Sequence, residues 1–233
     1  MNIEKIKKNT EIKKYIENAD EYLKALNYTE HSYPHVLRTA TVAKEILLQL
    51  GYDKHDAELA EIAGYMHDIG NLVNRIGHAQ SGAIMAFKIL TDLGLDTNDV
   101  IKITTAIGNH DEETAFPNNH ITAALILADK ADVRRSRVRN TNDPSNFDIH
   151  DRVNYSVQRS SINVDINEGT IELNLTIDST YCPILDYFEI FLERMNLCKK
   201  ASKALKMQFK LIINDLCLLW IKAYKAKNFA GFF

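Results

Sequence analysis

The chain has 233 residues, 45% of them apolar and 25% charged, with a net charge of -3 at neutral pH. These proportions belong to a globular protein long enough to bury a core, as one large domain or a main domain with an appendage. The slight acidic balance argues against a specific nucleic-acid partner, and three widely spaced cysteines without a C-x-x-C exclude a disulfide frame or a zinc ribbon.

The first 20 residues are charged throughout and lack the apolar core of a secretory signal. No uninterrupted apolar run approaches the roughly 20 residues needed to span a bilayer. The expectation is a cytoplasmic protein with reduced thiols and no membrane contact. Residues 1–28 alternate Lys and Glu around Ile6, Ile12, Tyr15, Ile16, Tyr22 and Leu23, which predicts one amphipathic helix.

A second helix opens at His31-Ser32-Tyr33-Pro34, with proline in its first turn and Gly51 at its stop. Val36, Ala40, Ala43, Leu47 and Leu50 form its buried stripe, and His35 and Arg38 share an adjacent one. The third helix, residues 54–67, buries Leu59, Ile62, Ala63 and Met66 and ends on His67-Asp68-Ile69-Gly70. After a short loop with Arg75 and Gly77, a helix restarts at His78 and runs to Gly94. A fifth, about 96–110, brings Val100, Ile103, Ile107 and then His110 inward. A sixth, about 121–139, carries Leu125, Ala128 and Asp129, with Lys130 and Arg134, Arg135, Arg137 and Arg139 continuing it.

The pattern then changes. Ile162, Val164 and Ile166 alternate with polar residues, Asn167-Glu168-Gly169 supplies a turn, and Ile171, Leu173, Leu175 and Ile177 alternate again, which predicts a β-hairpin. Val153, Tyr155 and Val157 suggest a third strand. A lone hairpin is marginal in water, so it must pack on the helices, gain strands or meet a second copy, and a homodimer is one solution. Two more helices are expected at 184–195 and about 199–227. The fold class is mainly α: a helical metal-binding domain over 1–140, with a small antiparallel hairpin or sheet and C-terminal helices over 141–233.

His35, His67, His78 and His110 with Asp68 and Asp129 offer four nitrogens and two carboxylates, all where helices meet. That set suffices for two divalent ions if one carboxylate bridges, and such a pair can activate a water and clamp a phosphoryl displacement. Imidazole and carboxylate without thiolate suit iron or manganese, with magnesium, nickel, cobalt or zinc also compatible. His31, His55, His120 and His150 read as loop or surface residues.

In this order the residues resemble the HD superfamily of metal-dependent phosphohydrolases. The match is carried by His35 in His-Val-Leu-Arg, Met66-His67-Asp68-Ile69-Gly70, His78 ahead of Ser81-Gly82, Ile107-Gly108-Asn109-His110-Asp111-Glu112, and Leu127-Ala128-Asp129-Lys130-Ala131-Asp132. The resemblance implies one ion on His35, His67, Asp68 and Asp129, a second on Asp68, His78 and His110, and a metal-activated hydroxide as nucleophile. It also implies a small phosphorylated substrate, nucleotide-like, as phosphomonoester or phosphoanhydride. The single His110 and the Leu-Ala-Asp-Lys ending are similar to the symmetrical diadenosine tetraphosphate hydrolase branch. Asn71 and Asp111 and the lack of Gly-Tyr-Pro separate the chain from the cyclic-dinucleotide phosphodiesterases. Asp68, Lys130 and Arg38 are the expected catalytic residues, with Lys130, Arg38 and Arg134 on substrate phosphate oxygens. The competing expectations are a metal-bearing nucleotide-binding regulatory module without turnover, a cyclic-dinucleotide phosphodiesterase despite those departures, and a diiron oxygenase.

Overall fold

The computed structural model describes residues 3–219. The helical part runs α1 (Ile3–Lys8), α2 (Thr10–Ala25), α3 (Tyr33–Gln49), α4 (Lys54–Met66), α5 (His78–Asp92), α6 (Thr97–Gly108) and α7 (His120–Lys130). A single helix over 1–28 does not form, because the Asn9 side chain accepts from the amides of Glu11 and Ile12 and starts α2 afresh. The helices from α3 to α6 follow the expected spans to within about two residues.

α3 packs on α4 and α7, and α5 packs on α6, around Ala40, Leu47, Ile62, Met66, Leu90, Ile103 and Leu125. Two glycines set the closest approaches. A Cβ on Gly64 would stand 2.7 Å from the Ala40 Cα, so only glycine lets α4 lie directly on α3. A Cβ on Gly70 would stand 2.0 Å from the His78 carbonyl oxygen, so the 3-10 turn Ile69–Leu72 that leaves α4 is pressed onto the start of α5.

α7 ends at Lys130, nine residues short of the expected boundary. The chain leaves the helix because Asp132 turns inward to His35, while Arg137 donates Nη1 to the Asp132 carbonyl and Nε to the Glu30 carbonyl. Arg135 and Arg137 therefore sit in a 3-10 turn rather than on a helix.

The second half is α8 (Ile149–Ser156), β1 (Val157–Asp165), β2 (Thr170–Ile177), α9 (Ile184–Ala204), β3 (Gln208–Ile213) and β4 (Leu216–Leu219). The hairpin forms in antiparallel register, Ile162 opposite Leu173 and Val164 opposite Ile171. Residues 153–156 are helical instead of a third strand, since Asp148 caps α8 by accepting from the Asp151 amide. The expected helix over 199–227 is corrected within the described residues. α9 absorbs its first turns and stops at Leu205, Lys206 takes φ 60°, and Phe209, Leu211 and Ile213 then alternate inward as β3. Asn214 and Asp215, both at positive φ, turn the chain into β4. Residues 220–227 of that expected helix lie outside the described residues.

The sheet order is β1-β2-β3-β4, with β2 and β3 parallel and α9 as the crossover between them. The sheet buries Ile171, Leu173, Leu211 and Ile213, and α9 packs on both α7 and β3. Among the described residues no helix is long and apolar enough to cross a membrane.

Candidate metal centre

Four imidazoles converge at the junction of α3, α4, α5 and α6, and each is held from behind by its Nδ1. His35 Nδ1 meets Asp132 Oδ2 at 2.8 Å, His67 Nδ1 the Gly64 carbonyl at 2.8 Å, His78 Nδ1 the Arg75 carbonyl at 3.0 Å, and His110 Nδ1 the Ile107 carbonyl at 2.6 Å. These partners are acceptors, so every Nδ1 donates and every neutral ring turns an Nε2 lone pair inward.

The inward nitrogens come in two pairs. His35 Nε2 lies 3.2 Å from His67 Nε2, and His78 Nε2 lies 3.3 Å from His110 Nε2. Asp68 stands between the pairs. Its Oδ2 is 3.5 Å from His35 Nε2 and 3.2 Å from His67 Nε2; its Oδ1 is 3.5 Å from His78 Nε2 and 3.9 Å from His110 Nε2. Asp129 Oδ1 adds to the first pair, 3.4 Å from His35 Nε2 and 3.7 Å from His67 Nε2. Lone pairs facing lone pairs beside carboxylates repel unless a cation lies among them.

The electrostatics agree. Burial opposes charge on Asp68 and Asp129, yet the neighbouring histidines, and Lys130 for Asp129, hold both carboxyls well below the usual range. Burial lowers His78, and lowers His110 strongly with help from His67 and His78, so both stay neutral as ligands must. His35 behaves oppositely: burial works against its charge, but Asp129, Asp132 and Asp68 push its pKa up to about 10. Without an ion, one proton on His35 takes over part of the cation's role.

A metal fits this site on the structure's own terms. Asp68 Oδ2 is a buried carboxylate oxygen without a hydrogen-bond partner, a costly arrangement unless a cation is bound. His35, His67 and Asp129, and separately His67, Asp68 and His110, each present ligand atoms within 4.8 Å of one another. Asn71 Nδ2 donates to Asp68 Oδ1 and to the Asp68 carbonyl at 3.0 Å each, fixing the carboxylate between the two pairs.

Residues 33–135 match the family model of the HD domain. A solved structure of a predicted HD superfamily hydrolase from an uncultured Thermotogales bacterium is 25% identical, over 57% of this chain and 75% of that one, with a TM-score of 0.42. No curated protein matches the chain. The fold brings together all six residues expected as ligands, His35, His67, Asp68, His78, His110 and Asp129.

The expected substrate contacts are placed less uniformly. A cavity of about 440 Å³ opens on this cluster of histidines and aspartates, and Lys130 lines it, its ammonium 2.8 Å from Asp129 Oδ2 and 2.9 Å from Glu112 Oε2. Arg38 and Arg134 are not among the lining residues. Arg38 Nε lies 3.1 Å from Asp132 Oδ1 and its Nη2 donates to the Ser160 carbonyl, while Arg134 binds Asp132 at 2.9 Å and Glu30 at 3.0 Å. Both guanidiniums act on the carboxylate that holds His35, not on the cavity. His120, left aside in the sequence, is bound to Asp56 Oδ2 at 2.6 Å and stacked on Tyr52.

Sequence reasoning missed His31, Arg75, Asp111, His150 and Arg194 on the cavity wall. Arg75 had a signal, since it lies in the short loop between His67-Asp68 and His78. Arg194 had none, because α9 lies far along the chain from every ligand.

Proposed function

We propose that the protein is a metal-dependent phosphohydrolase that takes a nucleotide-like phosphomonoester or phosphoanhydride into the cavity. The observation that carries this reading is the pairing of inward Nε2 atoms on both sides of Asp68. His35, His67, Asp68 and Asp129 would hold one divalent ion, and His78, His110 and the other oxygen of Asp68 a second, with iron or manganese best suited to the donor set. When bound, such a pair supplies Lewis acidity for a water nucleophile and for the charge developing on phosphorus.

The chain's own residues keep that site ordered. Lys130 holds Asp129 ionised and leaves its Oδ1 free for the cluster. Asn71 prevents Asp68 from rotating away. The Nδ1 contacts of the four histidines fix one tautomer each, so no ring reorganises as substrate enters. The ligand order supports kinship with the symmetrical diadenosine tetraphosphate hydrolase branch.

Asp68→Ala tests the reading. Metal content per chain should fall to near zero and hydrolysis of a nucleotide and phosphoester panel should vanish, with the helical circular dichroism retained. A metal-free variant that still hydrolyses the panel at the parent rate would end the proposal.

A further inference from the structure

Four cations line the cavity: Arg75, Lys130, Arg137 and Arg194. Two are committed inside the protein. Lys130 is held by Asp129 and Glu112, and Arg137 by the Glu30 and Asp132 carbonyls.

The other two have donors to spare. Among the described residues no carboxylate lies within 4 Å of Arg75, whose Nη1 stands 3.3 Å from Asn71 Oδ1 and 3.5 Å from His78 Nε2. A guanidinium beside a nitrogen that turns toward an ion puts two cations side by side. An anion touching both relieves that repulsion.

Arg194, only 23% exposed, donates Nε to Glu112 Oε1 at 2.9 Å; among the described residues its two terminal nitrogens make no hydrogen bond. Glu112 is the one carboxylate on Arg194 among the described residues, and Arg194 shares it with Lys130, which also holds Asp129. Both guanidiniums are also oriented by rings. Arg75 Cζ lies 5.6 Å from the Tyr28 ring centre, and Arg194 Cζ 4.1 Å from that of Phe191. Such forks are pre-organised for phosphate oxygens.

We propose that the cavity holds two phosphate subsites, an inner one made by the ligand cluster with Arg75 and an outer one made by Arg194, so that its substrate class is a compound with two phosphate groups, a diphosphate or bisphosphate. A monoester would fill the inner subsite and leave the Arg194 fork without an anion. The inner subsite rests on the phosphohydrolase reading; the outer one comes from α9, beyond residues 33–135 of the HD domain.

Calorimetric titration of the full-length, Mn(II)-loaded protein with pyrophosphate and with inorganic phosphate tests this without turnover. The parent should bind pyrophosphate about ten- to a hundredfold more tightly than phosphate. Arg194→Gln should remove that preference while leaving phosphate affinity within about twofold, Arg194→Lys should restore part of it, and Arg75→Ala should weaken both ligands. If the Gln variant does not fold, Arg194→Lys carries the test through its reduced preference. Equal affinity of the parent for both ligands, or equal weakening of both by an Arg194 variant, would overturn the two-subsite proposal. Failure to hydrolyse any phosphoester would end the phosphohydrolase reading alone, since the binding ratio still decides the subsites.

Discussion

Gly70→Ala should strip metal from one side of the cluster and spare the other. The added Cβ would sit 2.0 Å from the His78 carbonyl oxygen, 2.4 Å from the Gly82 amide nitrogen and 2.7 Å from Ser81 Oγ, whereas real Cβ contacts essentially never fall below 3.0 Å. The turn and the start of α5 must therefore separate by at least 1.0 Å, the difference between 3.0 and 2.0 Å. Two of these three contacts are backbone, so no rotamer change relieves them. All three clashing atoms belong to α5, which carries His78, whose Nε2 is 3.5 Å from Asp68 Oδ1, while none belongs to α3 or α4, where His35 and His67 stand. Overpacking of this kind costs about 1–3 kcal/mol, which for a chain of this size lowers Tm by roughly 2–12 °C. Metal analysis after dialysis should show the His78–His110 side emptied and the His35–His67 side filled. A variant with the parent's metal content and Tm would refute the account of how the turn seats on α5.

Asp132→Asn keeps an acceptor for His35 Nδ1 but removes the charge that binds Arg38 and Arg134. Metal affinity by chelator competition should fall about 10- to 100-fold, and an unchanged Kd would show that Asp132 does not position His35. Metal uptake should also release a proton. The pKa of His35, raised to about 10 in the ion-free chain, lies above its unfolded value, so its stabilising contribution is complete below about pH 6.5 and is lost as pH rises through about 10. The ion competes for that proton, so apparent affinity should climb roughly tenfold per unit between about pH 7 and 9; a flat profile would contradict it. Leu173→Ala, at a fully buried position of β2, should cost about 2–5 kcal/mol in urea unfolding. A loss below about 0.5 kcal/mol would mean that the sheet is not packed on the core.

The convergence of the four histidines and two aspartates was legible because helical spacing carries it. His35 lies on a stripe adjacent to the one set by Val36 and Ala40, and His110 lies one turn beyond Ile107, so periodicity placed both beside the buried faces where helices meet. The hairpin was equally plain in the alternation of Ile171, Leu173 and Leu175. The end of α7 was not legible, because Lys130 and the arginines after it favour helix and only the distant His35 and Glu30 draw the chain out of it. β3 was missed for a related reason. Its Phe209, Leu211 and Ile213 follow directly on a lysine-rich helix, and the alternation is too short to compete with the apparent continuation of that helix. Arg38 illustrates the limit for sites. Its stripe placed it beside His35, but which side of His35 a guanidinium serves is decided by Asp132, 94 positions away in sequence as 132 minus 38.

The backs of the four imidazoles are not equivalent. His67, His78 and His110 lean on main-chain oxygens, which survive any replacement of a side chain, whereas His35 leans on Asp132. Variation can therefore retune the orientation of His35 through one codon and its three arginine neighbours, Arg38, Arg134 and Arg137. The orientations of the other three rings answer to changes in the path of the backbone.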